Sequence, residues 1–381
     1  MRRALVIGGS LGGLFAGSLL HKAGWQVTVY ERAVGDLAGR GAGLGVSREF
    51  LEMMRRVEAK FDESSGVSQR EHVWMARSGE IVFRHRRNLM ASAWARIYQP
   101  LRAALPAGIY RQGMALARLD QDERAVTAHF ADGSRARADL LVAADGVLST
   151  ARRQYAPDIE PRYASYVAWR GLVPHAALSS ATLAALTDRL VFCFAPGELV
   201  LAMRVPDGAY YIWYRHVADA ADLLTDATGK HHGLSIPPPL IRPEHVRRLH
   251  RDARDMLPAA IAPVVEAAPQ ALLQAISDME SPRMCYGRVA LLGDAAFVVR
   301  PHVAAGATKA GLDACVLTDA VSEESDIATA LARYERSQLE FGRALVQHAR
   351  YLGADLERAT AVADPPALMR DYGAPHLLHD V

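Results

Sequence analysis

Lysine is nearly missing from this chain. Only Lys22, Lys60, Lys230 and Lys309 are present, so almost all of the 44 basic residues are arginine. They face 42 acidic residues for a net charge of +2, and no block of like charge is long enough to act as a polyanion-binding tail. Nucleic acid is therefore not an expected partner. Cysteine is as scarce: Cys193, Cys285 and Cys315 lie far apart and form no C-x-x-C pair. That excludes a disulfide scaffold and fits buried free thiols in a reducing cytoplasm. Long apolar runs are also lacking beyond the N-terminal stretch. The longest, Leu257 to Ile276, is interrupted by Pro258, Pro263, Glu266 and Pro269, so no membrane span is expected. Histidine is more plentiful, at 14, but it shows no H-E-x-x-H or clustered ligand spacing, and His231-His232 sits in a Gly/Pro-flanked loop. No metal site is expected.

What is present begins at the N-terminus. Ala4-Leu5-Val6-Ile7 reads as a buried parallel strand. The turn Gly8-Gly9-Ser10-Leu11-Gly12-Gly13 follows, then a small-residue helix to about Ala23, a break at Gly24, and a second strand, Val27-Thr28-Val29-Tyr30, ending in Glu31. This is a βαβ unit of dinucleotide-binding type. Gly8 and Gly13 allow a tight turn and close helix–sheet packing, with Ser10 in the middle position of G-x-G-x-x-G. A pyrophosphate would sit on the free N–H groups at the helix start, around Ser10 and Leu11, and Glu31 would accept hydrogen bonds from a ribose. Arg2-Arg3 before an apolar stretch also resembles a secretory leader, but the glycines and the second strand argue against that reading.

Further along, Asp36 to Gly45 forms a glycine-dense loop, and Ser47 caps a helix from Arg48 to Val57. Short strands are expected at His72–Ala76 and Glu80–His85, and a helix from Trp94 to Leu105, with Pro100 inside it. Ala131-Asp132-Gly133 marks a hairpin between Val126–Phe130 and Arg135–Leu141. Leu140 to Ala144 is a hydrophobic run ending in Asp145-Gly146. From about Arg162 to Ala275 the pattern changes to strand-like runs at 163–173, 190–194, 199–205 and 209–217, the mark of an inserted antiparallel domain. Val289–Leu292 returns to a buried strand ending in Gly293-Asp294, and alanine-rich helices follow over 306–321 and 327–352. Asp364-Pro365-Pro366 reads as the start of a loose tail. No internal repeat or low-complexity segment is found.

Three stations in this order carry a resemblance. They are the Gly8–Glu31 unit, Ala144-Asp145-Gly146-Val147-Leu148-Ser149-Thr150-Ala151-Arg152 (A-D-G-x-x-S-x-x-R), and Gly293-Asp294-Ala295-Ala296 with Pro301 and Gly306. Together they resemble the flavin-dependent aromatic hydroxylases of the p-hydroxybenzoate hydroxylase type. Phe297 in place of the usual histidine, Ala304-Ala305 in place of Gly-Gln, and the tract Tyr210 to Arg215 are most similar to the hydroxypyridine hydroxylase branch. Where most of the wider family has R-x-x-L, this chain has Tyr98-Gln99-Pro100-Leu101, and that arginine's role is not transferred to Arg96 or Arg102.

The resemblance implies an α/β fold. A Rossmann-like FAD-binding domain of glutathione reductase type (1–160 and 275–352) would carry an inserted antiparallel-sheet substrate domain (161–274), long C-terminal helices and a tail (353–381). It implies FAD, with NADH or NADPH and O2 as co-reactants, and hydroxylation of an electron-rich phenol or hydroxypyridine, 2,6-dihydroxypyridine among them, through a flavin C4a-hydroperoxide. The alternative is an FAD-dependent oxidase or dehydrogenase without oxygen insertion. A homodimer is the assembly the resemblance suggests.

For the cofactor, it implicates Gly8, Ser10, Leu11, Gly13, Glu31 and Arg32, then Arg40 and Gly41 in the loop over the flavin ring. Asp145 is expected as a supporting carboxylate and Asp294 at the ribityl chain or pyrophosphate. Gly306, Ala307 and Thr308 would present a helix N-terminus to the flavin. For catalysis it points to His302, Tyr214 and Pro301. Strand alternation puts Tyr210, Ile212, Tyr214 and His216 on one face. Tyr214 is the expected substrate hydrogen bond, with His216, Tyr211 and His302 as further substrate contacts.

Overall fold

A computed structural model of the chain describes residues 1–37 and 43–373. Arg40 and Gly41 lie outside the described residues.

The nucleotide-type sheet has six strands in the order Cys285–Tyr286, Val289–Leu291, Leu140–Ala143, Arg3–Ile7, Gln26–Tyr30, Tyr110–Arg111. All neighbours are parallel except the outermost pair, 285–286 with 289–291. The central strands are buried on both faces, which is why Leu140–Ala143 is uniformly apolar. Helix Leu11–Lys22 packs on this sheet through small residues and against helix Gly306–Glu323. The order of the strands brings the ends of Arg3–Ile7, Leu140–Ala143 and Val289–Leu291 side by side. The three motifs, 130 residues or more apart in sequence, therefore emerge at one edge.

A second, mainly antiparallel sheet runs Ser235–Ile236, Leu272–Glu280, Arg162–Pro174, Gly208–His216, Glu198–Val205, Arg189–Ala195, Val67–Met75, Ile81–Ala93, Gly43–Val46, with Phe297–Val298 joined at the far end of Leu272–Glu280. Only the Arg189–Ala195 with Val67–Met75 pair is parallel. Three of these strands, all within 43–93, come from before residue 160. The boundary expected there is thus crossed by strand pairing. The expected strands 72–76 and 80–85 are longer, at 67–75 and 81–93. Conversely, the run Arg135–Leu141 splits into Arg135–Ala138, in a separate three-stranded sheet, and Leu140–Ala143, in the nucleotide sheet.

One face of the second sheet is sealed by helices Pro243–Met256 and Ala262–Glu266 over Trp213, Tyr211, Val200 and Leu273. The other face, with Tyr210, Ile212, Tyr214 and Leu201, meets helix Ile327–Leu352 and the C-terminal residues. The tail expected from 353 is not loose as far as Gly373. Asp364 caps a helix, Pro365–Asp371, and Tyr372 is 7% exposed and held by Arg87 through its carbonyl. Asp-Pro-Pro is a helix start, because proline in the first turn has no N–H to waste. Among the described residues, no helix is long and apolar enough to cross a membrane and no cluster suits a metal ion.

Candidate active site

The first station is a turn that only glycine can make. Gly8 sits at φ +106°, and a Cβ there would collide with the carbonyl oxygen of Ala144, while one on Gly13 would strike the carbonyl oxygen of Gly8. Glu31 braces the turn from below: its carboxylate accepts from Gly9 N–H at 2.7 Å and from Ala33 N–H at 2.8 Å. Each oxygen keeps a lone pair for a ribose. Ser10, Leu11 and Gly12 face the cavity beyond, and Ser10 makes no side-chain cap bond, so its hydroxyl is free for a ligand. Arg32 is exposed and is not among the residues lining that cavity.

The second station is a scaffold. The Asp145 carboxylate accepts from Thr150 N–H at 2.7 Å and Ala151 N–H at 3.3 Å, and Ser149 Oγ accepts from Arg152 N–H at 3.0 Å. Both cap helix Thr150–Tyr155. Arg152, fully buried, donates to the carbonyls of Val147 (2.8 Å), Ala295 (3.2 Å) and Ile159 (3.3 Å), tying this station to the third. Burial pushes the Asp145 carboxyl up, against the Ser149 and backbone hydrogen bonds. Asp145, expected as a supporting carboxylate, gives one oxygen to the cap, and its neighbours Ala144, Gly146 and Val147 line the cavity while Asp145 itself does not.

At the third station Asp294 is exposed, but to the cavity, and has no hydrogen-bond or ion-pair partner among the described residues. Burial among the surrounding walls raises its carboxyl pKa. Lys309 opposes that rise and Asp313 adds to it. Lys309 and Asp313 form a buried ion pair, 2.6 Å apart, and Asp313 also accepts from Gly293 N–H at 2.8 Å, fixing the Gly293–Ala295 turn. Helix Gly306–Glu323 starts with no side-chain cap, and Gly306 and Ala307 line the cavity, so its free N–H groups are available to an electron-rich ligand edge. Thr308 is buried and does not line it.

These stations and the inner face of the second sheet enclose one cavity of about 490 Å³. Its sheet wall is Tyr210, Ile212 and Tyr214 with Leu201, Met203 and Leu190, closed by Trp94 and Tyr372. Tyr214 thus stands where alternation places it. Tyr211 does not: the same alternation turns it to the other face, against Trp213 and Val200. His216 sits at the strand end with its Nδ1 3.0 Å from the Leu356 carbonyl, away from the lining. Pro301 lines the cavity, but the 3-10 turn Pro301–Val303 swings His302 inward, where it is fully buried. Its ring packs 4.3 Å from that of Tyr214, and its Nε2 pairs with Tyr166 Oη at 2.8 Å. His302 is therefore one layer behind the wall. Where the family arginine is replaced, Trp94 stacks on Tyr98 at 4.6 Å, Arg102 lies over Tyr110 at 4.0 Å, and Arg96 pairs with Asp207.

Among the lining residues that the sequence does not single out are Arg170, Gln274 and Tyr372. Alternation along 162–174 was available, but nothing local says which face meets the cavity.

Burial holds the His302 pKa down at about 3, with Arg300 and Arg170 pushing the same way, and His72 is held down at about 3 by burial and Arg87. Both are neutral in the fold, whereas the unfolded chain protonates them near pH 6.5. Their contribution is complete above about pH 6.5 and is lost as pH falls towards 3, at about 1.4 kcal/mol per pH unit for each. Urea midpoints should therefore fall from pH 7 to pH 5, and less steeply in His72→Gln. An equally steep fall in that variant would contradict the assignment.

Comparison with known proteins gives the class of enzyme. A family described as FAD binding domain-like matches residues 163–278. The FAD-dependent urate hydroxylase of Klebsiella pneumoniae is 30% identical over 367 residues, 91% of this chain and 88% of that protein. The chain belongs to the FAD-dependent aromatic hydroxylases. Among its relatives, the 2,6-dihydroxypyridine 3-monooxygenase of Paenarthrobacter nicotinovorans is 29% identical over 93% of this chain and 91% of its own. A solved structure of 2,6-dihydroxypyridine-3-hydroxylase from Arthrobacter nicotinovorans superimposes with a TM-score of 0.90 at 28% identity, covering 96% of each chain. These relatives are hydroxylases or monooxygenases, which favours oxygen insertion over the oxidase alternative.

Proposed function

We propose that this enzyme binds FAD across its three stations and uses NADH or NADPH and O2 to hydroxylate a small, electron-rich hydroxylated ring, a hydroxypyridine or phenol. The observation that carries the reading is the cavity shared by the three stations and the sheet. It runs from the Ser10–Gly12 turn past Asp294 and the Gly306 helix start to an aromatic sheet face. The chain fits FAD on its own features: a cradle that any Cβ would fill, a carboxylate under it, and an uncapped 18-residue helix. Gly8, Ser10, Leu11 and Gly13 would hold the pyrophosphate, Glu31 the ribose, and Asp294 the ribityl hydroxyls. Gly306 and Ala307 would face the pyrimidine edge of the flavin, where the helix dipole favours added negative charge by about 0.3–2 kcal/mol. When bound, FAD supplies two-electron reduction by nicotinamide and the activation of dioxygen.

The remaining work falls to side chains. Ile212, Leu201, Met203 and Trp94 exclude water from the ring-binding end. The Tyr214 hydroxyl, buried beside the Tyr372 hydroxyl, would hydrogen-bond the substrate hydroxyl; burial raises its pKa, so it stays protonated and can donate. His302, neutral, holds Tyr166 behind that wall as a positioning residue. A relative acting on 2,6-dihydroxypyridine makes that compound the first to test. With bound FAD, NAD(P)H oxidation should accelerate at least about tenfold on adding a matching hydroxypyridine or phenol. No acceleration across such a panel would count against the reading.

A further inference from the structure

We infer that Arg170 is the substrate-selecting residue, reading an anionic oxygen on the aromatic ring. This inference rests on the hydroxylase reading and narrows its substrate class.

Arg170 stands on strand Arg162–Pro174, directly opposite Ile212 in the register of the neighbouring strand. Facing residues share a side of the sheet, so its side chain rises from the face that bears Tyr210, Ile212 and Tyr214. Around it that face is apolar or aromatic: Ala168 and Leu172 on its own strand, Leu201 and Met203 beyond. Arg170 lines the cavity and is only partly accessible, yet it has no hydrogen bond or ion pair among the described residues. Its Nε is buried without a partner.

The other charged lining residues do not relieve it. Arg300 is occupied by Asp278 at 2.7 Å and Glu357 at 2.8 Å. Asp294 belongs to the opposite, turn-and-helix end of the cavity. The guanidinium's charge is felt at Tyr210, Tyr214, Tyr372 and His302, which brackets the ring-binding end.

A cation half-withdrawn from water in an apolar wall is costly unless something pairs with it. Arg215 and Arg300 have carboxylate partners within 3.0 Å, and the buried Arg152 has three backbone carbonyls. Arg204, whose Nε is likewise buried without a partner, does not line the cavity. At Arg170 the ligand is the remaining source of a partner. A guanidinium fork suits two kinds of oxygen anion: a ring carboxylate, bound in bidentate fashion, and the ring oxyanion of an ionised phenol or hydroxypyridine. Gln274, which shares this face across from Ala168, adds an amide at the same end. An ionised ring hydroxyl is also the more electron-rich substrate, so binding and reactivity are served together.

The test is ligand binding to the FAD-loaded protein, followed by flavin absorbance changes, without turnover. Wild type and Arg170→Met are titrated with three sets of rings: carboxylated, hydroxylated without a carboxylate, and neutral carboxamides of the same shape. Wild type is expected to prefer anions, and R170M to lose about ten- to a hundredfold in affinity for them while neutral rings change little. R170K should recover part of that loss. Loss confined to carboxylated rings identifies a carboxylate. Loss for hydroxylated rings, growing as pH rises through the ring's own pKa, identifies an oxyanion. If R170M does not fold, the wild-type preference for an anion over its matched carboxamide decides alone. Equal binding of anionic and neutral rings by wild type, or unchanged anion affinity in R170M, overturns the inference and leaves the hydroxylase reading standing. A yellow wild-type protein that binds no aromatic ring overturns both.

Discussion

Replacing Lys309 by methionine is expected to destabilise the protein by about 3–5 kcal/mol, because it leaves Asp313 as an unpaired charge in the interior. The side chains are 1% and 0% exposed, and among the described residues no second cation is within bonding reach of Asp313, whose Oδ1 has no partner. The pair lies beneath the Gly293–Ala295 turn, with the Lys309 ammonium 5.4 Å from the Phe297 ring centroid, so the damage should reach the cavity floor. Flavin content should drop along with the urea midpoint. The double variant Lys309→Met, Asp313→Leu removes both charges and should recover most of the loss, to within about 1–3 kcal/mol of wild type, the remainder reflecting Gly293 N–H, which loses its acceptor when Asp313 is replaced. A single variant as stable as wild type would show that the buried pair is not held as an ion pair.

The second large effect concerns the cofactor. Gly8→Ala places a methyl group against the Ala144 carbonyl at a backbone angle that L-residues rarely adopt. Backbone strain of about 1–3 kcal/mol then falls on the turn itself, and the protein is expected to purify with less than about a tenth of its flavin. Because that variant also risks the fold, Asp294→Ala is its companion. Asp294 has no protein partner among the described residues, so its loss should leave stability nearly unchanged while depleting flavin. Full flavin occupancy in both variants would place the cofactor somewhere else.

The parts legible in the sequence are those whose information is local. A strand, a glycine turn and a helix follow one another within Arg3 to Lys22, and each has its own chemical signature. The Asp145-to-Arg152 motif is equally local, although its purpose, two caps and a strut to Ala295, is visible only in three dimensions. Alternation over Gly208–His216 separates Tyr210, Ile212 and Tyr214 from Tyr211, although Tyr211 and His216, both expected beside the substrate, do not line the cavity. What stayed hidden depends on distant pairing. Strands 43–46, 67–75 and 81–93 join the second sheet through a parallel contact with Arg189–Ala195, more than a hundred residues away. His302 follows Pro301 in the chain, yet one 3-10 turn puts the proline at the cavity and the histidine behind it. Tyr372 was lost in an apparent tail because its burial depends on Arg87 and on a hydrogen bond from Gly373 N–H to the His302 carbonyl.

Isotope labelling tests the account at its centre. The flavin-loaded protein is mixed with NADH or NADPH, 18O-labelled dioxygen and the hydroxypyridine or phenol that most accelerates cofactor oxidation, and the organic product is weighed by mass spectrometry. The account predicts a ring bearing one labelled oxygen atom, formed in step with nicotinamide consumption. Quantitative hydrogen peroxide with no labelled ring product, for every compound that speeds nicotinamide oxidation, would contradict it.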